Sequence, residues 1–118
     1  MPLDINGPTD GWERNPYYNP EKFGCEIVAT VDVAGSYEFD MFVVVRTIEP
    51  IEGIRKGTYF WAADAGCSCP SPFHGAEWHR ATKAELIKAF DSWSDQRKGQ
   101  YYYNEPDVLS MKMDLRNL

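Results

Sequence analysis

The order of hydrophobic and polar residues along three stretches in the first half of the chain is typical of β-strands. The first stretch, residues 25–33, places four apolar side chains on one face: Ile27, Ala29, Val31 and Val33. Residues 38–48 become apolar on both faces from Phe42 onward, which predicts a strand near the centre of a sheet. Residues 58–63 are dense in strand-favouring aromatic rings. The short turn between the first two stretches favours antiparallel pairing.

The second half of the chain changes to helical periodicity. Thr82 and Glu85 form the capping-box motif that begins a helix. Apolar positions then recur every three or four residues up to Trp93, and Gly99 fits the position just past a helix end. After Pro106 the pattern fits a helix and a strand almost equally. Because its Met, Lys, Leu and Arg residues are good helix formers, we predict a second helix.

These elements predict an α+β fold, a small antiparallel three- to four-stranded sheet with one or two helices packed on one face. We expect residues 24–118 to form this single α+β domain, since 118 residues suffice for one modest core. We predict that residues 1–23 form an irregular, aromatic- and proline-rich N-terminal arm. Pairs such as Asn15-Pro16 and Asn19-Pro20 favour turns and interrupt any helical or strand periodicity. Its aromatic rings are too many for a free tail, so we expect the arm to lie across the domain.

Charge and composition exclude several classes of function. A net charge of -6, with scattered basic residues, argues against nucleic acid as a partner. No apolar run reaches the ~20 residues that cross a bilayer, and the first residues lack the features of a secretory signal. Three cysteines, an odd number, favour a reducing setting. We therefore expect a cytoplasmic protein.

Two cysteines and two histidines lie close together in the sequence, at Cys67, Cys69, His74 and His79. Zinc is held by four thiolate or imidazole ligands, so these residues suffice in kind and number for a zinc-binding module. The Cys-x-Cys spacing is unusual for zinc, however. A proline-rich turn with small packed cysteines explains the same residues.

A thiol redox enzyme is a further alternative for the Cys67/Cys69 loop. A reactive thiol needs a nearby cation or helix N-terminus to lower its pKa. His74, His79 and the predicted helix start near Thr82 lie close in sequence. The chain contains neither the G-x-S-x-G nor the H-E-x-x-H catalytic motif, and we expect a protein that is not an enzyme.

Aromatic residues make up 14% of the chain, a surplus that suits a protein-binding surface. The candidates outside the predicted strands and helices are Tyr17, Tyr18, Trp78, Tyr101 and Tyr102.

Residues 15–24, 31–40 and 61–73, the last including the string G-C-S-C-P-S-P-F, resemble a group of small uncharacterised proteins of actinobacteriophages. This resemblance implies a phage-encoded protein that acts in the cytoplasm of the host bacterium. The resemblance implies no catalytic residue and no cofactor for this chain. Together with the size, acidity and aromatic surplus, it leads us to expect a non-enzymatic accessory protein that binds a host or phage protein during infection.

Overall fold

The chain folds into an antiparallel β-sheet with two α-helices. The computed structural model describes residues 2–8, 14–34, 37–67, 72–100 and 103–118. Within these ranges the elements are the 3-10 helix Pro20–Phe23, β1 (Cys25–Asp32), β2 (Glu38–Thr47), β3 (Tyr59–Cys67), β4 (His79–Ala81), α1 (Lys83–Asp95) and α2 (Glu105–Arg116). The four strands lie in the order β1-β2-β3-β4 and every neighbouring pair is antiparallel. The predicted α+β fold is confirmed.

Strand β2 is the centre of the core and is buried on both faces. Its alternating positions contribute Phe39, Met41, Val43 and Val45 to one cluster and Phe42 and Val44 to the other. Both faces of the sheet must therefore be covered, because each exposes large apolar side chains.

The two helices cover one face of the sheet. Their buried residues recur at helical spacing and pack against Phe42 and Val44: Leu86, Phe90 and Trp93 from α1, and Val108, Met111 and Leu115 from α2. The Phe42 ring contacts Phe90 edge-on, with 5.1 Å between centroids. The segment after Pro106 is thus a helix, as its residue propensities predicted.

The predicted capping box is present at the start of α1. The Thr82 hydroxyl accepts the Glu85 N–H at 3.2 Å, and the Glu85 carboxylate accepts the Thr82 N–H at 2.9 Å. These hydrogen bonds lower the pKa of Glu85. The helix ends at Asp95, so Gly99, with a φ of +89°, lies beyond the position that we predicted for it. Successive hydrogen-bonded turns connect Asp95 to Gly99.

The N-terminal arm and the segment before β4 cover the opposite face. Ile5, Phe23, Phe73 and Trp78 pack there against the β2 side chains of the first cluster. Ile5 is only 7% exposed and Phe23 2%. The described part of the arm thus supplies side chains to the core that residues 24–118 share.

Two details of the sheet differ from the sequence pattern. A bulge in β1 shifts the register between Ile27 and Ala29, so Ile27 faces the arm while Ala29 faces the helices. The prediction that these two residues share one face was therefore wrong. Strand β3 also continues to Cys67 rather than ending at Ala63, because Ala65 and Gly66 pair with β2 despite their weak strand propensity.

The arm is irregular and lacks the repeated backbone hydrogen bonds of a strand. The side chains of two of its asparagines form hydrogen bonds in their place. The Asn6 carboxamide donates to the Trp78 carbonyl at 2.9 Å and accepts the Trp78 N–H at 2.7 Å. The buried Asn15 side chain donates to the Pro72 carbonyl at 2.7 Å and accepts the Tyr17 N–H at 3.0 Å. Both therefore fasten the arm to residues that lie more than fifty positions away.

Replacing either asparagine with alanine should destabilise the fold. Asn6→Ala and Asn15→Ala each leave backbone groups near the core without a partner, so we expect the free energy of unfolding to fall by about 1–3 kcal/mol. Chemical denaturation measures this change. Asn117→Ala, at an exposed position, is the control and should change stability by less than about 0.5 kcal/mol. Equal stabilities for all three variants would contradict the role of the two side chains.

Candidate functional site

The loop that carries the predicted cysteines begins at the exposed end of β3. Cys67 is its exposed first residue, and Cys69 lies outside the described residues. The far end of the loop is fixed, because the Asp64 carboxylate accepts the Phe73 N–H at 2.8 Å. Phe73 has a φ of +66°, unusual for a bulky residue, and its ring is fully buried. Asp64 and Asn15 thus hold this turn against the core.

The four predicted zinc ligands do not converge. His79 pairs with Trp61 across β3 and β4, with 4.4 Å between the ring centroids. Cys67 lies six positions further along β3, roughly 20 Å away at about 3.3 Å per residue. Zinc ligands lie about 2.0–2.3 Å from the metal, so His79 cannot share an ion with Cys67.

The remaining predicted ligands are Cys67, Cys69 and His74, of which His74 is exposed. Among the residues that the structure describes, no group of three Cys, His, Asp or Glu side chains is placed to hold a metal ion. The described part of the loop therefore offers no assembled metal site.

The predicted partner-binding residues fall into three groups. Tyr17 is partly buried against Phe73, with 5.1 Å between centroids, and Tyr18 is 46% exposed beside it. Trp78 is only 2% exposed, so its ring belongs to the core and not to a binding surface, contrary to our prediction. Tyr101 and Tyr102 lie outside the described part of the chain.

A cleft that the sequence did not predict lies beside the arm. We call it the arm cleft. Its volume is about 560 Å³, and its walls are residues 2–6 of the arm and the β2–β3 loop at residues 50–52 and Ile54. Phe23, Cys25, Phe60 and Arg80 complete the lining. Ile51 and Ile54 bond to each other through their backbones, which closes the loop into a tight turn beside the cleft.

The arm cleft is apolar inside and charged at its rim. Buried core side chains such as Phe23 and Phe60 form its floor. Its charged lining residues are Asp4, Glu52 and Arg80, all exposed. An apolar concavity with a few polar groups at the edge is the usual form of a ligand site.

Cys25 contributes a thiol to the lining of the arm cleft. Its thiol donates a hydrogen bond to the Phe23 carbonyl at 3.4 Å. Burial raises the pKa of the Cys25 thiol from 9.0 to about 11. The thiol therefore stays protonated near neutral pH and is a poor nucleophile.

A second cavity, of about 540 Å³, lies at the other end of the sheet and is lined in part by Asp40. Arg97 donates to Asp40 Oδ2 at 2.8 Å and to the Trp93 carbonyl at 2.9 Å, and its guanidinium lies 4.3 Å from the centre of the Trp93 ring. These contacts pin the turn after α1 to β2. Since Arg97 neutralises the carboxylate, we regard this cluster as structural.

Comparison with known families gives one match. Residues 14–115 match the model of a domain of unknown function, DUF7574. The chain belongs to the DUF7574 family. Because the match covers most of the chain, the sheet, both helices and residues 14–23 of the arm are parts of the DUF7574 domain.

No curated protein and no solved structure matches the chain. Neither helix in the described ranges has the length and apolar composition of a membrane span.

The two described cysteines should differ in reactivity. We expect iodoacetamide at pH 8 to modify Cys67, which is exposed, and to leave Cys25 unmodified, because its thiol is buried and protonated. Peptide mass spectrometry measures both. Because folding raises the pKa of the Cys25 thiol, the unfolded chain loses this proton at a lower pH than the folded protein does. The contribution of the protonated thiol to stability is therefore complete below about pH 9 and is lost as the pH rises towards 11. Modification of Cys25 as fast as in urea-unfolded protein would contradict this assignment.

His79 should contribute nothing to zinc affinity. Because it lies roughly 20 Å from Cys67 along the sheet, His79→Ala should bind added zinc chloride as wild type does, as measured by isothermal titration calorimetry. Cys67→Ser is the comparison variant. A loss of zinc affinity in His79→Ala that matches the loss in Cys67→Ser would mean that the two residues share a metal after all.

Proposed function

We propose that this protein is a non-enzymatic binding domain that takes an apolar side chain of a partner protein into the arm cleft. The observation that carries the proposal is the cleft itself, with its apolar floor and charged rim. Its volume of about 560 Å³ falls within the range of roughly 300–1,000 Å³ that is typical of ligand pockets. Protein interfaces commonly concentrate their binding energy where one large apolar side chain fills such a pocket.

The chemistry of the lining favours binding over catalysis. Catalytic sites need a nucleophile or a general base with a suitable pKa. The described lining contains no histidine, and its thiol, Cys25, is held in the neutral form. The Asp4 carboxylate accepts the N–H of Asn6, so it serves the local turn. These groups can orient a ligand, and none is arranged to react with it.

The structure of the walls also suits a binding site. The floor belongs to the rigid sheet core, and Asn6 anchors the arm wall to Trp78. A concave site held open by packed residues loses little conformational freedom when a partner binds. The arm is thus both a cover for the core and a wall of the proposed site.

The partner that we propose is a host or phage protein met in the cytoplasm of an infected bacterium. The resemblance of residues 15–24 and 61–73 to actinobacteriophage proteins supports this choice. The net charge of -6 and the scattered basic residues argue against nucleic acid.

Filling the cleft should abolish partner binding. Ile54→Trp places a large ring at the cleft wall, whereas Ile48→Trp makes the same substitution at an exposed position outside the lining. Immobilised protein would be exposed to lysate of an infected actinobacterial host, with a photo-cross-linking residue at Glu52 on the rim. We expect cross-links to one protein segment in wild type and in Ile48→Trp, and at least a tenfold loss in Ile54→Trp.

Circular dichroism would verify that both variants fold. Cross-linking that survives Ile54→Trp unchanged, or that occurs equally from a photo-cross-linking residue at exposed Asp114 on α2, would refute the arm cleft as the binding site.

A further inference from the structure

We infer that the arm cleft recognises a carboxyl terminus, with Arg80 binding the terminal carboxylate while the last, apolar side chain enters the cleft. This inference rests on the proposed function and names the chemistry of the partner segment. It follows from the position of Arg80, from the absence of a charged partner for it among the described residues, and from the closed floor of the cleft.

Arg80 lines the cleft and is exposed. It sits in the middle of β4 and pairs with Phe60 of β3, so the two side chains share the face that the arm covers. Its guanidinium reaches the β2–β3 loop, where it donates to the Gly53 carbonyl at 3.5 Å. A long hydrogen bond of this kind is weak and leaves most of its five N–H donors for a ligand.

Among the residues that the structure describes, Arg80 has no carboxylate partner, whereas two other arginines do. Arg46 pairs with Glu26 across β1 and β2, and Arg97 pairs with Asp40. Among the described residues no carboxylate lies within 4.0 Å of Arg80, although Asp4 and Glu52 line the same cleft. An unpaired guanidinium beside an apolar surface suits a ligand carboxylate, which it can bind through two parallel hydrogen bonds.

The two rim carboxylates restrict how much negative charge the ligand can carry. Asp4 and Glu52 repel further acidic groups, as does the net charge of -6. A carboxyl terminus brings one carboxylate directly beside its last side chain. An acidic internal segment would place additional charges against the rim.

The floor of the cleft favours a chain end. Phe23, Cys25 and Phe60 are buried core residues, so the cleft is closed beneath its mouth. A terminal residue can place its side chain in the cleft easily, because no further residues follow it that would have to lead the chain back out. Leucine or a residue of similar size would bury its side chain on this apolar floor.

N-acetyl-L-leucine and N-acetyl-L-leucinamide test the inference, because they differ only in the carboxylate. Each would be titrated into the full chain labelled with ¹⁵N, and binding would be followed by the amide shifts of Leu3, Ile54 and Phe60. We expect the acid to bind at least about tenfold more tightly than the amide, as charge-assisted hydrogen bonds predict. Arg80→Gln should remove that difference, and Arg55→Gln, an exposed neighbour outside the lining, should keep it.

Each result separates this inference from the proposed function. Equal affinity of the acid and the amide in the cleft, or an acid preference that survives Arg80→Gln, would overturn carboxylate recognition. Shifts confined to residues away from the cleft would overturn it as well. Because the cleft-filling variant Ile54→Trp tests partner binding without reference to the carboxylate, the proposed function can survive any of these outcomes.

Discussion

The burial of β2 on both faces is the constraint on which the rest of the structure depends. A strand with large apolar side chains above and below cannot rest on a single layer, so the chain must supply two covers. The helices provide one of them through regular stripes of apolar residues. The other is built from the N-terminal arm and the segment around Phe73, neither of which contains a long regular element.

An irregular cover has to satisfy its backbone groups individually. Asn6, Asn15 and Asp64 do this, since their side chains accept or donate the hydrogen bonds that a strand or helix would have supplied. The same irregularity explains why a cleft lies on this side of the sheet. Separate pieces of chain meet there without the close fit of two helices, and the space between them is the arm cleft.

The features that the sequence predicted well are local ones. Alternation and strand-favouring residues identified the first three strands, and the capping box and the stripe from Leu86 to Trp93 identified α1. The bulge before Ala29 was hidden, because one inserted residue changes the face of a strand without changing its composition. The three residues of β4 were also hidden, since so short a strand has no period of its own.

The candidate site was harder to predict because its parts are distant in sequence. Leu3, Cys25, Ile54 and Arg80 belong to no common motif and meet only through the tertiary fold. The cysteine and histidine cluster gave no signal for the arm cleft, and β3 carries Cys67 away from His79. Proximity along the chain does not ensure proximity in a sheet.

The position of Asn6 also affects the order in which the protein can be assembled during translation. Trp78, the hydrogen-bond partner of Asn6, is synthesised 72 residues after it. Contacts between distant positions close large loops and form slowly. The arm therefore cannot complete this docking before the segment around Trp78 has been synthesised, and until then the face of the nascent sheet that the arm covers stays open to solvent and to chaperones.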